Sequence, residues 1–153
     1  MSPMARPKPP MKFANLALLA AATFAATIAL AATTHADPDG FGERFQSPSG
    51  NIVCILDGNS VACQIKQHTY APPPPGNCPL GGWSTTFALD PGQPPHHLCQ
   101  GGMIADGPMP TLDYGQTRSA GPLTCDSEPS GVTCTDSSTG HFFRVSRESY
   151  QLG

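Results

Sequence analysis

The chain has 153 residues, of which 12% are charged and 39% hydrophobic, and a formal net charge of −3 at pH 7. Its charge is unevenly distributed, because Arg6, Lys8 and Lys12 lie within residues 1–36 whereas all eleven acidic residues lie within residues 37–153. From Asp37 onwards the chain has five basic and eleven acidic side chains, which gives a formal charge of −6. A surface of this charge, with no Lys/Arg cluster, argues against nucleic acid and anionic membranes as partners.

Residues 1–36 have the composition of an export signal. A positive segment is followed by an almost wholly apolar run over 13–33, and the sequence T-H-A at 34–36 resembles an A-x-A cleavage site. We therefore expect cleavage before Asp37.

Two alternatives apply to this segment. Met11 can serve as the start in place of Met1, since M-K-F and the apolar run already form a complete signal. The run is also long enough for a membrane anchor, but its small-residue exit favours cleavage, so no stable membrane insertion is expected. Residues 37–153 are then enough for one domain, which we expect to be secreted, periplasmic or held in the cell envelope.

Two stretches, IVCILDGNSVACQI and LTCDSEPSGVTCTD, predict the same β-hairpin built twice. In the first, β-rich runs at 52–56 and 61–65 flank G-N at 58–59, which suits a two-residue loop with positive φ at both central residues. That register places Cys54 opposite Cys63, within the distance a disulfide needs.

Between the hairpins the chain is less regular. Four prolines at 72–75 predict an extended polyproline connector, which we interpret as a stiff linker and not as a docking motif. The alternation in W-S-T-T-F-A-L at 83–89 predicts a strand with one buried side. Residues 90–97 are rich in turn formers, and residues 101–114 combine a weak strand with a loop.

In the second hairpin Pro129 and Gly131 frame the turn, and Cys125 faces Cys134. The sequence H-F-F-R-V-S at 141–146 predicts a further strand.

The chain after residue 36 shows no helical periodicity, and Tyr150 and Leu152 fit a short closing segment. The predicted fold class is all-β. We expect a small, disulfide-stapled antiparallel sheet or barrel-like sandwich of six to eight short strands, with two C-x8-C hairpins.

The remaining cysteines, Cys78 and Cys99, form the third pair by elimination. Six cysteines leave other connectivities open, so this pairing is a prediction that depends on the two hairpins. Because the core of so small a domain is modest, disulfides are expected to supply much of its stability.

Several motifs recur in an order typical of one family. They are F-Q-S-P-S-G-N-I-V-C at 45–54, V-A-C at 61–63, Y-G at 114–115, G-V-T-C at 131–134 and G-H-F-F-R-V-S-R at 140–147. The chain resembles a family of small exported, six-cysteine bacterial proteins, found in actinobacteria and proteobacteria and classed as a domain of unknown function. The resemblance implies export, a signal peptide and paired cysteines, and it implies no activity or catalytic residue.

A metal site is the first chemical hypothesis. His96, His97 and Cys99 offer two imidazoles and a sulfur, ligands that suit zinc or copper. Adjacent histidines point to opposite faces of an extended chain, and a disulfide at Cys99 would remove its thiolate. We therefore interpret the pair as exposed loop histidines. His68 and His141 have no spacing that would complete a site, and we expect neither a metal nor another cofactor.

A binding patch is the second hypothesis. Arg144 and Arg147 flank Ser146 and could bind an anionic envelope glycan or a protein partner, or simply be solvated charges on an edge strand. Trp83 and Tyr114 could stack on a sugar, although in a small core such residues are more often packed inside.

A hydrolase is the third hypothesis. Asp57 and Asp126 occupy similar places in the two hairpins and could form a carboxylate pair, but turn aspartates are common for local hydrogen-bonding reasons. The chain has no G-x-S-x-G, H-E-x-x-H or S-x-x-K motif.

The sequence thus favours an exported, non-enzymatic binding or interaction domain of the cell envelope or extracellular space, with an unknown protein or an envelope glycan as its partner. The alternatives are an envelope hydrolase and a metal-handling protein that uses His96, His97 and Cys99.

Overall fold

The computed structural model describes residues 42–71, 85–99 and 102–153. Within these ranges the chain forms ten β-strands and no helix, so the predicted all-β class is confirmed and the expected six to eight strands are too few. The strands are β1 (Glu43–Gln46), β2 (Ile52–Leu56), β3 (Val61–Ile65), β4 (Thr86–Leu89), β5 (His96–Leu98), β6 (Thr117–Ala120), β7 (Leu123–Glu128), β8 (Gly131–Asp136), β9 (Phe142–Val145) and β10 (Tyr150–Leu152).

The strands form two antiparallel sheets of five. The N-terminal sheet has the order β1-β2-β3-β4-β5 and the C-terminal sheet the order β10-β9-β8-β7-β6. In both sheets each strand pairs with the next in the chain, so each sheet is an up-and-down meander with one cystine hairpin, β2–β3 or β7–β8. The arrangement agrees with the predicted sandwich.

Both predicted hairpin registers are confirmed. Cys54 pairs with Cys63 and Cys125 with Cys134, and both pairs are disulfide-bonded. The second turn is also as predicted, because Glu128 pairs with Gly131 across a two-residue loop.

The first turn differs from its prediction. Neither Gly58 nor Asn59 has a positive φ, so the loop is not of the primed type. Asp57 closes it instead: its Oδ1 accepts the backbone N–H of Asn59 at 2.6 Å and that of Ser60 at 2.8 Å. An aspartate that bonds the backbone two and three residues ahead makes left-handed residues unnecessary.

Four other expectations have clear outcomes. The strand predicted at 141–146 is present as β9, and the closing segment expected around Tyr150 and Leu152 is the strand β10. The strand expected at 83–89 is present as β4 over its described part. All four residues of β4 are buried, because this strand lies inside its sheet and is covered on both faces. Residues 102–110 form no strand, and Thr111 makes only an isolated parallel bridge to Gln46.

The core lies between the facing sheets. The two disulfides meet at its centre, where the Sγ atoms of Cys63 and Cys134 are 3.7 Å apart. Each of these cysteines pairs across its sheet with a fully buried phenylalanine, Phe87 or Phe143, and the two rings stack with centroids 6.2 Å apart. The cystines are thus part of the hydrophobic core as well as crosslinks.

The sheets are also joined at their edges. The guanidinium of Arg118 on β6 forms an ion pair with the Glu43 carboxylate on β1. At the opposite edges, the rings of His97 on β5 and Tyr150 on β10 are in edge-to-face contact at 5.4 Å. The described part of the chain contains no helix that is long and apolar enough to cross a membrane.

Candidate functional site

A cleft of about 430 Å³ opens at one end of the two sheets. The N-terminal sheet contributes residues 47 and 49–51 before β2, the first residue of β2, Ile52, and residues 66–67 after β3. The C-terminal sheet contributes the β7–β8 turn and the β9–β10 turn, and Tyr114 lines the cleft from the segment that precedes β6. We call this opening the loop cleft.

One wall of the loop cleft is held by Asn51. Its side-chain amide donates to the Gln67 carbonyl and its Oδ1 accepts the Gln67 N–H, both at 2.9 Å. The backbone carbonyl of Asn51 accepts the N–H of Lys66, also at 2.9 Å. Three bonds from one residue therefore fix the backbone from which the Lys66 side chain extends.

The other wall is held by Ser146, a nearly buried residue. Its Oγ accepts the N–H of Glu148 at 3.2 Å and that of Ser149 at 3.1 Å, which closes the turn that carries Arg147. The Arg147 carbonyl accepts the N–H of Thr69 at 2.8 Å. This last bond connects the two walls, because Thr69 follows β3 of the N-terminal sheet.

The loop cleft contains charges of both signs. Lys66 and Arg147 are exposed, and the ion pair between Glu43 and Arg118 involves neither of them. Glu128 and Glu148 line the same cleft, and the Glu128 carboxylate accepts a hydrogen bond from the Ser130 hydroxyl at 3.0 Å. The formal charge of the lining is therefore balanced.

The structure brings together part of the predicted binding patch. Arg147 and Tyr114 both line the loop cleft, and Tyr114 is 48% exposed, so its interpretation as a core residue is wrong. Arg144 does not line the cleft: it lies on β9, an inner strand of its sheet and not an edge, and donates to the Ser130 carbonyl at 3.3 Å. Trp83 lies outside the described residues.

Sequence reasoning missed Lys66, Glu128 and Glu148 as lining residues. They are separated by up to 82 positions in the chain, and only the packing of the two sheets places their turns at one end. The available signal was the position of polar turn sequences directly after β3 and β9.

The histidines of the metal hypothesis lie on a strand and not, as expected, in a loop. His96 and His97 belong to β5 and alternate between its faces. His97 points inward, where its ring contacts Phe87 at 4.7 Å and its buried Nδ1 has no hydrogen-bond partner. Burial, followed by the nearby charge of His96, lowers the pKa of His97.

The sulfur of that hypothesis is not a free thiolate, because Cys99 is disulfide-bonded. Its predicted partner, Cys78, lies outside the described residues, as does the connector at 72–75. His68 is held by its own loop, where Nδ1 bonds the Tyr70 carbonyl at 2.8 Å. Among the described residues, the one group of three clustered metal-ligand types consists of sulfurs already in disulfides.

The two aspartates of the hydrolase hypothesis have different surroundings. Asp57 closes its own turn, as described above. Asp126 lies in the middle of β7 and accepts a hydrogen bond from the Thr117 hydroxyl at 2.6 Å. Although their places in the sequence are similar, Asp57 and Asp126 therefore have different local structural roles.

A buried carboxylate that sequence reasoning missed is Asp136, at the end of β8. It accepts the N–H of Gly92 at 2.8 Å, and both the N–H and the hydroxyl of Ser138, at 2.9 and 2.7 Å. These bonds, with that of Gly92 the largest cause, hold its pKa well below the usual range. Since Gly92 belongs to the β4–β5 connection, Asp136 links the two sheets.

Comparison with known proteins adds one result. The model of a family described as "Family of unknown function (DUF6636)" matches residues 22–152. No curated protein and no solved structure matches the chain. The match extends over most of the sequence, and we conclude that the chain belongs to this family of unknown function.

Proposed function

We propose that the protein is an exported, non-enzymatic binding domain of the cell envelope or extracellular space, and that the loop cleft is its binding site. The observation that carries this proposal is the composition of the cleft. Loops of both sheets meet around a half-exposed tyrosine and two cations, Lys66 and Arg147, on backbone fixed by side-chain hydrogen bonds. Loops positioned by a rigid scaffold are where recognition residues concentrate.

Export is supported by two independent features. The first 36 residues have the composition of a signal peptide. Two fully buried disulfides lie at the centre of the fold, and such bonds form and persist in oxidising compartments.

A binding role is favoured over catalysis by the bonding of the cleft hydroxyls. The Ser146 hydroxyl is used by its own turn, and the hydroxyls of Ser47 and Ser49 lie 3.1 Å apart and bond each other. Of the described residues that line the cleft, none is a histidine that could act as a base toward these serines.

The test is a titration of the oxidised, isotope-labelled protein with envelope glycan fragments and peptides, followed by amide chemical shifts. We expect shifts that cluster on the cleft loops, and weaker binding by Tyr114→Ala and Arg147→Gln. Arg144→Gln is the matched control, since Arg144 is a neighbouring arginine outside the cleft. Shifts confined to the outer face of the C-terminal sheet, or turnover of ester, peptide or glycan substrates, would contradict the proposal.

A further inference from the structure

Building on the proposed function, we infer that the ligand of the loop cleft is a sparsely charged acidic glycan. One carboxylate of the glycan binds between Lys66 and Arg147, and one sugar ring lies against Tyr114. The inference rests on which cations are free, on how the cleft balances its charge, and on the chemistry of its walls.

Two of the basic side chains after residue 36 are free to bind a ligand. After residue 36 the chain has five basic side chains. Arg118 is paired with Glu43, Arg44 has interactions of its own, and Arg144 donates to the Ser130 carbonyl. The other two, Lys66 and Arg147, are both exposed and both line the loop cleft.

The bases of these two side chains are fixed near each other. Asn51 holds the segment of Lys66, and the bond from the Thr69 N–H to the Arg147 carbonyl joins that segment to the β9–β10 turn. A carboxylate between an ammonium and a guanidinium makes charge-assisted hydrogen bonds, which are stronger than neutral ones. Because the protein otherwise carries excess negative charge, two cations that extend from fixed backbone at one opening favour an anionic group there.

The two carboxylates of the cleft limit how much charge the ligand can carry. Glu128 and Glu148 balance the two cations, so a densely charged polyanion would meet repulsion along with attraction. A sugar chain with one carboxylate among many hydroxyls fits this lining, because carboxylates accept hydrogen bonds from hydroxyl donors. The cleft therefore favours a glycan with isolated acidic groups over a nucleic acid or a heavily sulfated chain.

The walls favour a glycan over a peptide. Their lining is mainly hydroxyl, amide and charged groups, and Ile52, their one large aliphatic residue, is only 5% exposed. Peptides are usually anchored by large apolar side chains in deep apolar pockets, and the lining offers no large exposed aliphatic side chain for such an anchor. Tyr114 instead offers a half-exposed aromatic face, suited to the C–H face of a sugar, with a polar hydroxyl at its tip.

Tyr114 is also held in place. The next residue, Gly115, has a φ of 83°, and its N–H donates to the Ser127 carbonyl on β7 at 2.7 Å. The tyrosine is thus attached to the rigid C-terminal sheet, and its exposure is not that of a loose loop tip.

The experiment compares three probes by calorimetry and amide shifts on the oxidised protein. They are a short galacturonate oligomer that is methyl-esterified on all but one residue, the fully esterified neutral oligomer of the same length, and a peptide of similar length with a single glutamate. We expect the galacturonate oligomer to bind at least about tenfold more tightly than either of the others. Lys66→Gln and Arg147→Gln should each weaken it by about tenfold, Tyr114→Ala should weaken all sugar binding, and Arg144→Gln should change it less than twofold.

The outcomes separate the two proposals. If the neutral ester or the peptide binds in the cleft as well as the galacturonate does, the acidic-glycan inference is wrong and the binding cleft stands. If the galacturonate binds but the Lys66 and Arg147 variants bind it unchanged, the inference is also wrong. If no probe, and no ligand of the wider panel, shifts the cleft resonances, both proposals fail.

Discussion

Each of the two sheets contains a central disulfide-bonded hairpin of the same type, but the outer faces of the sheets differ in burial. In the N-terminal sheet four outward-facing residues are buried, namely Val53, Gln64, Thr86 and Ala88, whereas Ile55 and Ala62 on the same face are partly exposed. In the C-terminal sheet the outward-facing residues of β7 and β8 are partly or fully exposed, and they alternate strictly with buried inward-facing residues. The same type of disulfide-bonded hairpin thus occurs in one sheet with a mostly buried outer face and in another with a partly exposed outer face.

The cover of the N-terminal sheet includes the segment 102–112. The Gln64 side chain accepts the N–H of Ile104 and donates to the Gly102 carbonyl, both at 2.9 Å. At the other end of the segment, Leu112 donates to the Gln46 carbonyl of β1. On the outer face of the other sheet, the threonines of β7 and β8, Asp126 and Arg144 are partly exposed.

The two disulfides, one in each sheet, should have the largest effect on stability. Each disulfide closes a ten-residue loop, and in the chain-entropy model this contributes about 2.7 kcal/mol. Because both cystines are fully buried, replacing either pair by alanines also creates a cavity, and we expect a loss of roughly 3–5 kcal/mol in each case. Urea denaturation measures both variants. A thermal midpoint that does not move in reductant would contradict the prediction.

The two hairpin turns should respond unequally to the same substitution. Gly131 has a φ of 129°, and a Cβ there would clash with the Val145 carbonyl, so Gly131→Ala should cost about 2 kcal/mol or more. Gly58 has an ordinary φ and open space around it, so Gly58→Ala should be neutral or stabilise the fold by about 0.5 kcal/mol. Equal losses of unfolding free energy in the two variants would show that the turns do not differ as described.

The outer faces can be compared by one substitution on each. Gln64→Ala leaves the N–H of Ile104 and the Gly102 carbonyl without their partner, and should cost about 1–3 kcal/mol. Thr133→Ala, on the open face of β8, should cost about 0.5 kcal/mol or less. Limited proteolysis should cut segment 102–112 faster in the Gln64 variant alone. If cleavage is unchanged, Gln64 does not hold the segment.

The sequence predicts this fold well where its information is local. Hairpin register follows from cysteine spacing and turn chemistry, and β9 follows from an alternating run beside a turn. The φ values at 58–59 were mispredicted because Asp57 provides a closing acceptor of its own, a competing solution with a similar sequence signature. β5 was missed because three residues between turns carry too little pattern.

The loop cleft could not be predicted in the same way. Arg147 and Tyr114 were recognisable as candidates from residue type alone, but Lys66 and Glu128 acquire their role only through the packing of one sheet on the other. The hydrogen bonds of Gln64 on the outer face of β3 likewise depend on Gly102 and Ile104, which alternation within one strand does not reveal.

The smallest expected effect is a pH dependence of folding stability that arises from His97 in the N-terminal sheet. The equivalent position in the C-terminal sheet has no titratable group. Burial keeps the folded-state pKa of His97 below its ordinary value of 6.5, so the unfolded chain takes up the proton more readily. The stabilisation that depends on a neutral His97 is therefore fully present above pH 6.5 and is lost as the pH falls from there toward the folded-state pKa. His97→Phe keeps the aromatic contact with Phe87 and Tyr150 and should remove this dependence. His96→Gln should keep most of it, because burial and not the neighbouring charge is the larger cause. Denaturation curves between pH 5 and 7.5 test this, and a wild-type protein with unchanged stability across that window would contradict it.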